Sequence, residues 1–241
     1  MEPGALDHLL MAILVLGMPA WGLWERRWLL RSLAAGTRDA RMQVYRQSIA
    51  VQWVLVLVLL GLWSSGGRDL PGLGLGFDAG RGFWIGAGLA GGAAAGLVAQ
   101  TVAVLRNPEN LDSVRAQLEP AGALLPRDDR EERTFAALSF TAGVCEEILY
   151  RGFVIAYFAA FLDTPVAVVL SALVFGVGHA YQGTLGIVKT GAVGLVLAGL
   201  YLLTGSLWVP MLLHVLMDLQ GGHLGRLAFA SPTPTSSPTA D

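Results

Sequence analysis

Glu146 and Glu147 stand side by side in the run Cys145-Glu146-Glu147-Ile148-Leu149-Tyr150-Arg151-Gly152, inside an apolar stretch long enough to cross a membrane. An ionisable side chain in hydrocarbon is costly, so it faces a protein interior or a water-filled cavity and marks a functional site. Asp218, His179 and His214 also fall inside apolar stretches, and Arg151 is the one arginine embedded in such a stretch. Helical spacing sorts these groups. Residues four apart share a face, so Glu147 pairs with Arg151, Phe175 lies under His179, and His214 aligns with Asp218. Glu146 is turned about 100° from Glu147. The two carboxylates are therefore expected to differ: Glu147 neutralised by Arg151 in a structural pair, Glu146 left to face a cavity.

A carboxylate and two imidazoles converging in a partly dry cavity suit hydrolysis. A desolvated Glu is a better general base for water, and a neighbouring His helps hold that water. The remaining His and its helix partner would stabilise the oxyanion formed when water attacks a carbonyl. Alternatively, Glu146, His179, His214 and Asp218 would ligate zinc. Cys145 reads as a packing residue, since a thiol in apolar surroundings is inert without an activating base.

These groups need a membrane scaffold to position them, and the composition provides one. Hydrophobic residues make up 54% of the chain, charged residues 14%, and the mean hydropathy is +0.57, which places the chain in the membrane class. A net charge of −2 and a pI near 6.1 offer no basic surface for nucleic acid. A lone cysteine excludes an intrachain disulfide.

Apolar runs of about 17–25 residues fall near 8–24, 46–63, 83–105, 134–160, 165–181, 185–204 and 207–222. The expected fold is an all-α polytopic membrane protein of about seven transmembrane helices, with eight as the alternative count. The first run reads as an uncleaved span, because Glu2 and Asp7 precede it and Arg26 and Arg27 follow it. Arg26, Arg27, Arg31, Arg38, Arg41 and Arg46 separate the first two runs, against only Arg68 and Arg81 in the next loop. The arginine-rich segment is therefore assigned to the cytoplasm and the N-terminus to the outside, with 106–133 and the C-terminal tail cytoplasmic by alternation.

Residues 1–133 read as N-terminal membrane helices plus a charged cytoplasmic loop, 134–222 as the core that carries the chemistry, and 223–241 as a disordered tail rich in Ser, Thr and Pro. The mixed charges of 106–133 predict a solvated helix or two. Gly88, Gly92 and Gly96, and likewise Gly186, Thr190, Gly194 and Ala198, form small-residue faces expected to pack within the chain.

The ordered set Glu146-Glu147-x-x-x-Arg151, Phe175-x-x-x-His179 and His214-x-x-x-Asp218 resembles the CAAX protease and bacteriocin-processing (CPBP, or Abi) family of intramembrane endopeptidases, over about residues 134–222. The resemblance implies a CAAX-protease-like helical bundle with a buried site, and the expected location is a bacterial inner membrane. It also implies that Glu146 and His179 activate the attacking water, that His214 and the residue at 218 contribute to the oxyanion site, and that Glu147, Arg151 and Phe175 support them. A metal-free, glutamate-dependent mechanism is favoured by the resemblance, with zinc as the alternative. One departure stands out: the motif of the eukaryotic CAAX proteases ends in Asn, whereas Asp218 is acceptor-only when ionised. Asp218 would then donate only when protonated, or would orient His214 or bind metal. The expected partners are the lipid bilayer and a membrane-associated protein or peptide substrate, whose identity and prenylation the motifs do not name. The rival readings are a proton-coupled transporter or channel and a non-catalytic immunity or binding scaffold of the same fold.

Overall fold

The computed structural model describes residues 2–107 and 109–229. Among these the regular structure is entirely helical: α1 (Ala5–Ala34), α2 (Ala40–Ser65), α3 (Arg81–Arg106), the short α4 (Asn110–Leu118), α5 (129–159), α6 (Thr164–Gly178), α7 (Gly183–Thr204) and α8 (Trp208–Phe229). α1, α2, α3 and the segment Ala180–Thr204 that contains α7 are long and apolar enough to cross a membrane by length and composition, and α6 is apolar but shorter. The chain is thus an integral membrane protein. α5 and α8, which carry Glu146, Glu147, Arg151, His214 and Asp218, are not among the four: helices that turn ionisable groups inward lose mean apolarity.

Local chemistry sets the helix ends. Asp128 caps α5 by accepting from the Glu131 amide at 2.8 Å, and Asp129, Glu131 and Glu132 occupy its first turn, where acids complement the helix dipole. Pro165 lies in the first turn of α6, where its missing N–H costs nothing. α7 stops at Gly205, whose φ of 64° is the left-handed geometry that glycine closes a helix with.

The main apolar core joins α1, α2, α5, α6 and the start of α8, with Leu14, Leu59, Leu149, Phe153 and Leu207 fully buried in it. Polar contacts then tie the two ends of the bundle. At one end Arg68 Nη2 lies 2.6 Å from Asp7 Oδ2, and the Leu207 amide donates to Gly74 O at 2.8 Å. At the other, Arg130 meets Asp39 at 2.9 Å, Tyr45 donates to Leu124 O at 2.5 Å, and Arg226 Nε lies 2.7 Å from Glu132. The segments read as cytoplasmic therefore share one end.

Several boundaries depart from the sequence reading. α1 does not stop at 24 but continues to Ala34, because Leu29 packs into a second core with Tyr45 and Val44; Glu25 is thereby buried. The segment 106–133 is more than a solvated helix, since Val114 of α4 is buried against Val104, Leu224 and Ala228. α8 runs past 222 to Phe229, held by His223 on Glu132 at 2.8 Å and by Arg115 on the Ala228 carbonyl. The Ser231–Pro238 tract lies outside the described residues.

The small-residue faces also separate. On α7, a Cβ at Gly194 would stand 3.1 Å from Phe175 Cδ1 and 3.4 Å from Ala172 Cα, so α6 approaches there. On α3, however, Gly88, Gly92 and Gly96 have nothing within 4 Å. The parallel row Gly82, Gly86 and Ala90 meets α7 instead, with a Cβ at Gly82 placed 2.2 Å from Leu203 O. Two four-residue rows ran along this helix, and the packing used the one not singled out.

Candidate active site

Glu146 ends the first α-helical part of α5, residues Glu147–Val154 continue it as a π-helix, and Ile155–Ala159 return to α-helix. Such wide turns release backbone groups and recur at functional sites. Here the Tyr150 carbonyl accepts from Ser171 Oγ of α6 at 2.7 Å. Every residue from Glu147 to Val154 is buried, so the segment is enclosed by its neighbours.

Within it, Arg151 Nη1 lies 3.0 Å from Glu147 Oε1, with side-chain exposures of 1% and 0%. The guanidinium carbon also sits 4.0 Å from the centre of the Phe175 ring, a cation–π contact. The same Glu147 oxygen lies 2.8 Å from His214 Nδ1 on α8. Glu147 therefore serves two partners, and the second was missed: the sequence spacing pointed to Asp218 as the neighbour of His214. Asp218 Oδ2 is instead 3.8 Å from His214 Nε2, beyond hydrogen-bond reach.

His179 is the C-cap of α6 and not an interior helical residue, because the chain turns there into the 3₁₀ segment Ala180–Gln182. Its Nδ1 lies 2.9 Å from Phe175 O, a carbonyl that the ending helix leaves without its usual partner. A carbonyl and an ionised carboxylate only accept, so both histidines donate through Nδ1 and present Nε2 to the cavity.

The two Nε2 atoms converge on one carboxylate oxygen. Glu146 Oε2 stands 4.0 Å from His179 Nε2 and 3.9 Å from His214 Nε2. Its other oxygen, Oε1, accepts from Gln52 Nε2 of α2 at 3.2 Å. Sequence reasoning did not single out Gln52. The available signal was that it is the one amide in the otherwise apolar run from Ile49 to Trp63.

Glu146, His179, His214 and Asp218 all line one cavity of about 400 Å³, together with Tyr150 and Phe175. Its wall extends beyond 134–222: α1 contributes Trp21 and Glu25, α2 Ser48 and Gln52, and the segment after α4 Leu124 and Leu125. Asp218 is the most exposed of the four at 38%, against 15% for Glu146. Cys145 is fully buried and does not line the cavity. Among the described residues no group of three His, Cys, Asp or Glu side chains is disposed to hold a metal ion.

No curated protein and no solved structure matches the chain. A family model does, over α5 to α8 and not over α1 to α3, and it spans all four side chains gathered at the cavity. Residues 133–220 match the model of the Rce1-like family, described as type II CAAX prenyl endopeptidase Rce1-like.

Proposed function

We propose that the protein is an intramembrane endopeptidase that hydrolyses a peptide bond of a membrane-associated protein or peptide, with Glu146 and His179 activating the attacking water. The observation that carries this reading is the placement of one Glu146 oxygen 3.9–4.0 Å from two imidazole nitrogens. Those gaps are too long for direct hydrogen bonds and match a water held between the groups. Gln52 anchors the opposite oxygen, so the carboxylate keeps Oε2 turned to the histidines.

In this mechanism the water gives its proton to Glu146 as it adds to the carbonyl, with His179 Nε2 aligning it. His214, held through Nδ1 by Glu147, faces the developing oxyanion and stabilises it when Nε2 carries a proton. Asp218, the most exposed of the four, lies 3.8 Å from the same Nε2. The protonated Glu146 then delivers its proton to the departing amine. α5, α6 and α8 complete the seven crossings in this reading, and the name of the matched family favours a prenylated CAAX-type substrate.

The arrangement disfavours a proton-conducting path. The polar groups gather in one cavity, and between them and the Asp7–Arg68 pair lies the apolar core around Leu14, Leu59 and Leu149. A conducting chain needs ionisable groups or water along its length.

Glu146→Gln keeps the shape and removes the base. In native-like membranes, with candidate CAAX-type and other membrane-anchored peptides, this variant is expected to cleave about 10²–10⁴-fold more slowly than wild type. Near-normal cleavage by the folded variant would remove Glu146 from the mechanism.

A further inference from the structure

Glu25 is the one buried carboxylate of the cavity that the mechanism above does not use. It is 8% exposed, Oε2 takes a long contact of 3.4 Å from Ser48 Oγ, the Trp21 indole is a second neutral donor beside the carboxylate, and Oε1 meets no partner at hydrogen-bond geometry. None of the ion pairs among the described residues includes it. A buried carboxylate without a cation is a costly arrangement, and this one lines the same cavity as Glu146. We propose that Glu25 forms an acidic subsite that takes a lysine or arginine side chain of the peptide substrate close to the scissile bond; the proposal rests on the proteolytic reading.

The position follows from α2. Ser48 touches Glu25 and Gln52 touches Glu146, and the two are four residues apart on one helix face. That separation is about 6 Å along the axis. An extended peptide advances about 3.3 Å per residue, so a substrate lying along α2 brings a side chain to Glu25 roughly two residues from the bond beneath Glu146. The surroundings suit a long basic side chain. Trp21 and Tyr181 line the same cavity, Tyr181 packing against Gly22 of α1, and supply ring faces for the aliphatic stem and for the cation. Both α1 and α2 lie outside the segment that matches the family, so the subsite is a property of this chain's own N-terminal helices.

The test uses the purified full-length protein in lipid nanodiscs with a dodecapeptide library randomised around a central cysteine and supplied in prenylated and unmodified forms, cleavage sites being read by mass spectrometry. Glu146→Gln supplies the blank. Wild type is expected to favour Lys or Arg over Gln about tenfold or more in kcat/KM at a position within three residues of the cut, the scale of one buried charge pair. Glu25→Gln is expected to flatten that preference, and Glu25→Lys to turn it towards Asp and Glu. A wild-type profile with no basic preference overturns the subsite without needing any variant, as does an unchanged preference in folded Glu25→Gln. Both results leave Glu146-dependent cleavage standing; loss of any difference from the blank would instead remove the proteolytic reading and the subsite with it.

Discussion

Glu147 shows how much one buried carboxylate can organise. It meets Arg151 at 3.0 Å and His214 at 2.8 Å through the same oxygen, while its other oxygen has no partner. Arg151 is thus the cation paired with Glu147 inside the bundle, and Glu147 fixes which nitrogen of His214 faces the cavity. Removing one partner of a buried ion pair leaves an uncompensated charge, at a cost of about 3–5 kcal/mol. Arg151→Ala is expected to lower thermal stability in detergent by an amount on that scale, with activity falling alongside. Wild-type stability with lost cleavage would instead assign Arg151 a direct place in the reaction.

At the scale of elements, the site depends on how closely α5 and α8 approach. A Cβ at Gly143 would stand 2.4 Å from Val215 Cγ2 and 2.8 Å from the Val215 backbone nitrogen, next to His214. Backbone cannot move aside as a side-chain end can, so α8 must shift. Gly143→Ala is expected to destabilise the protein by about 1–3 kcal/mol, as overpacking does, and to reduce Glu146-dependent cleavage by displacing His214. Gly88→Ala is the control: with nothing within 4 Å of its Cβ position, its effect should stay within about 0.5 kcal/mol. Equal melting temperatures for the two variants would show that the α5–α8 approach does not limit stability.

At the scale of the whole molecule, α1, α2, α5, α6, α7 and α8 all contribute to the wall of the cavity that holds Glu146, and the chemistry placed in it either needs a metal or does not. The glutamate-dependent reading predicts that purified active protein holds far less than one zinc per chain, and that prolonged chelation leaves cleavage intact. Elemental analysis beside a chelation time course checks both. Stoichiometric zinc that disappears in His179→Ala, with chelator inhibition reversed by added zinc, would overturn the reading and make Asp218 a ligand candidate.

The sequence by itself determined the membrane class, the helical fold and the pairing of Glu147 with Arg151, because burial cost and the 3.6-residue period act locally. It also marked Glu146, His179, His214 and Asp218 as outliers in apolar surroundings. Only the tertiary structure decided what those groups touch. Gln52 and Glu25 reach the cavity through contacts made across helices far apart in the chain, and no local period encodes such contacts. The π-helix at Glu147–Val154 and the capping position of His179 depend on the neighbours that absorb the freed carbonyls. On α3, two small-residue rows met the same spacing rule, and the fit against Leu203 and Thr204 selected Gly82 and Gly86, because close packing is a property of two surfaces and a sequence pattern describes only one.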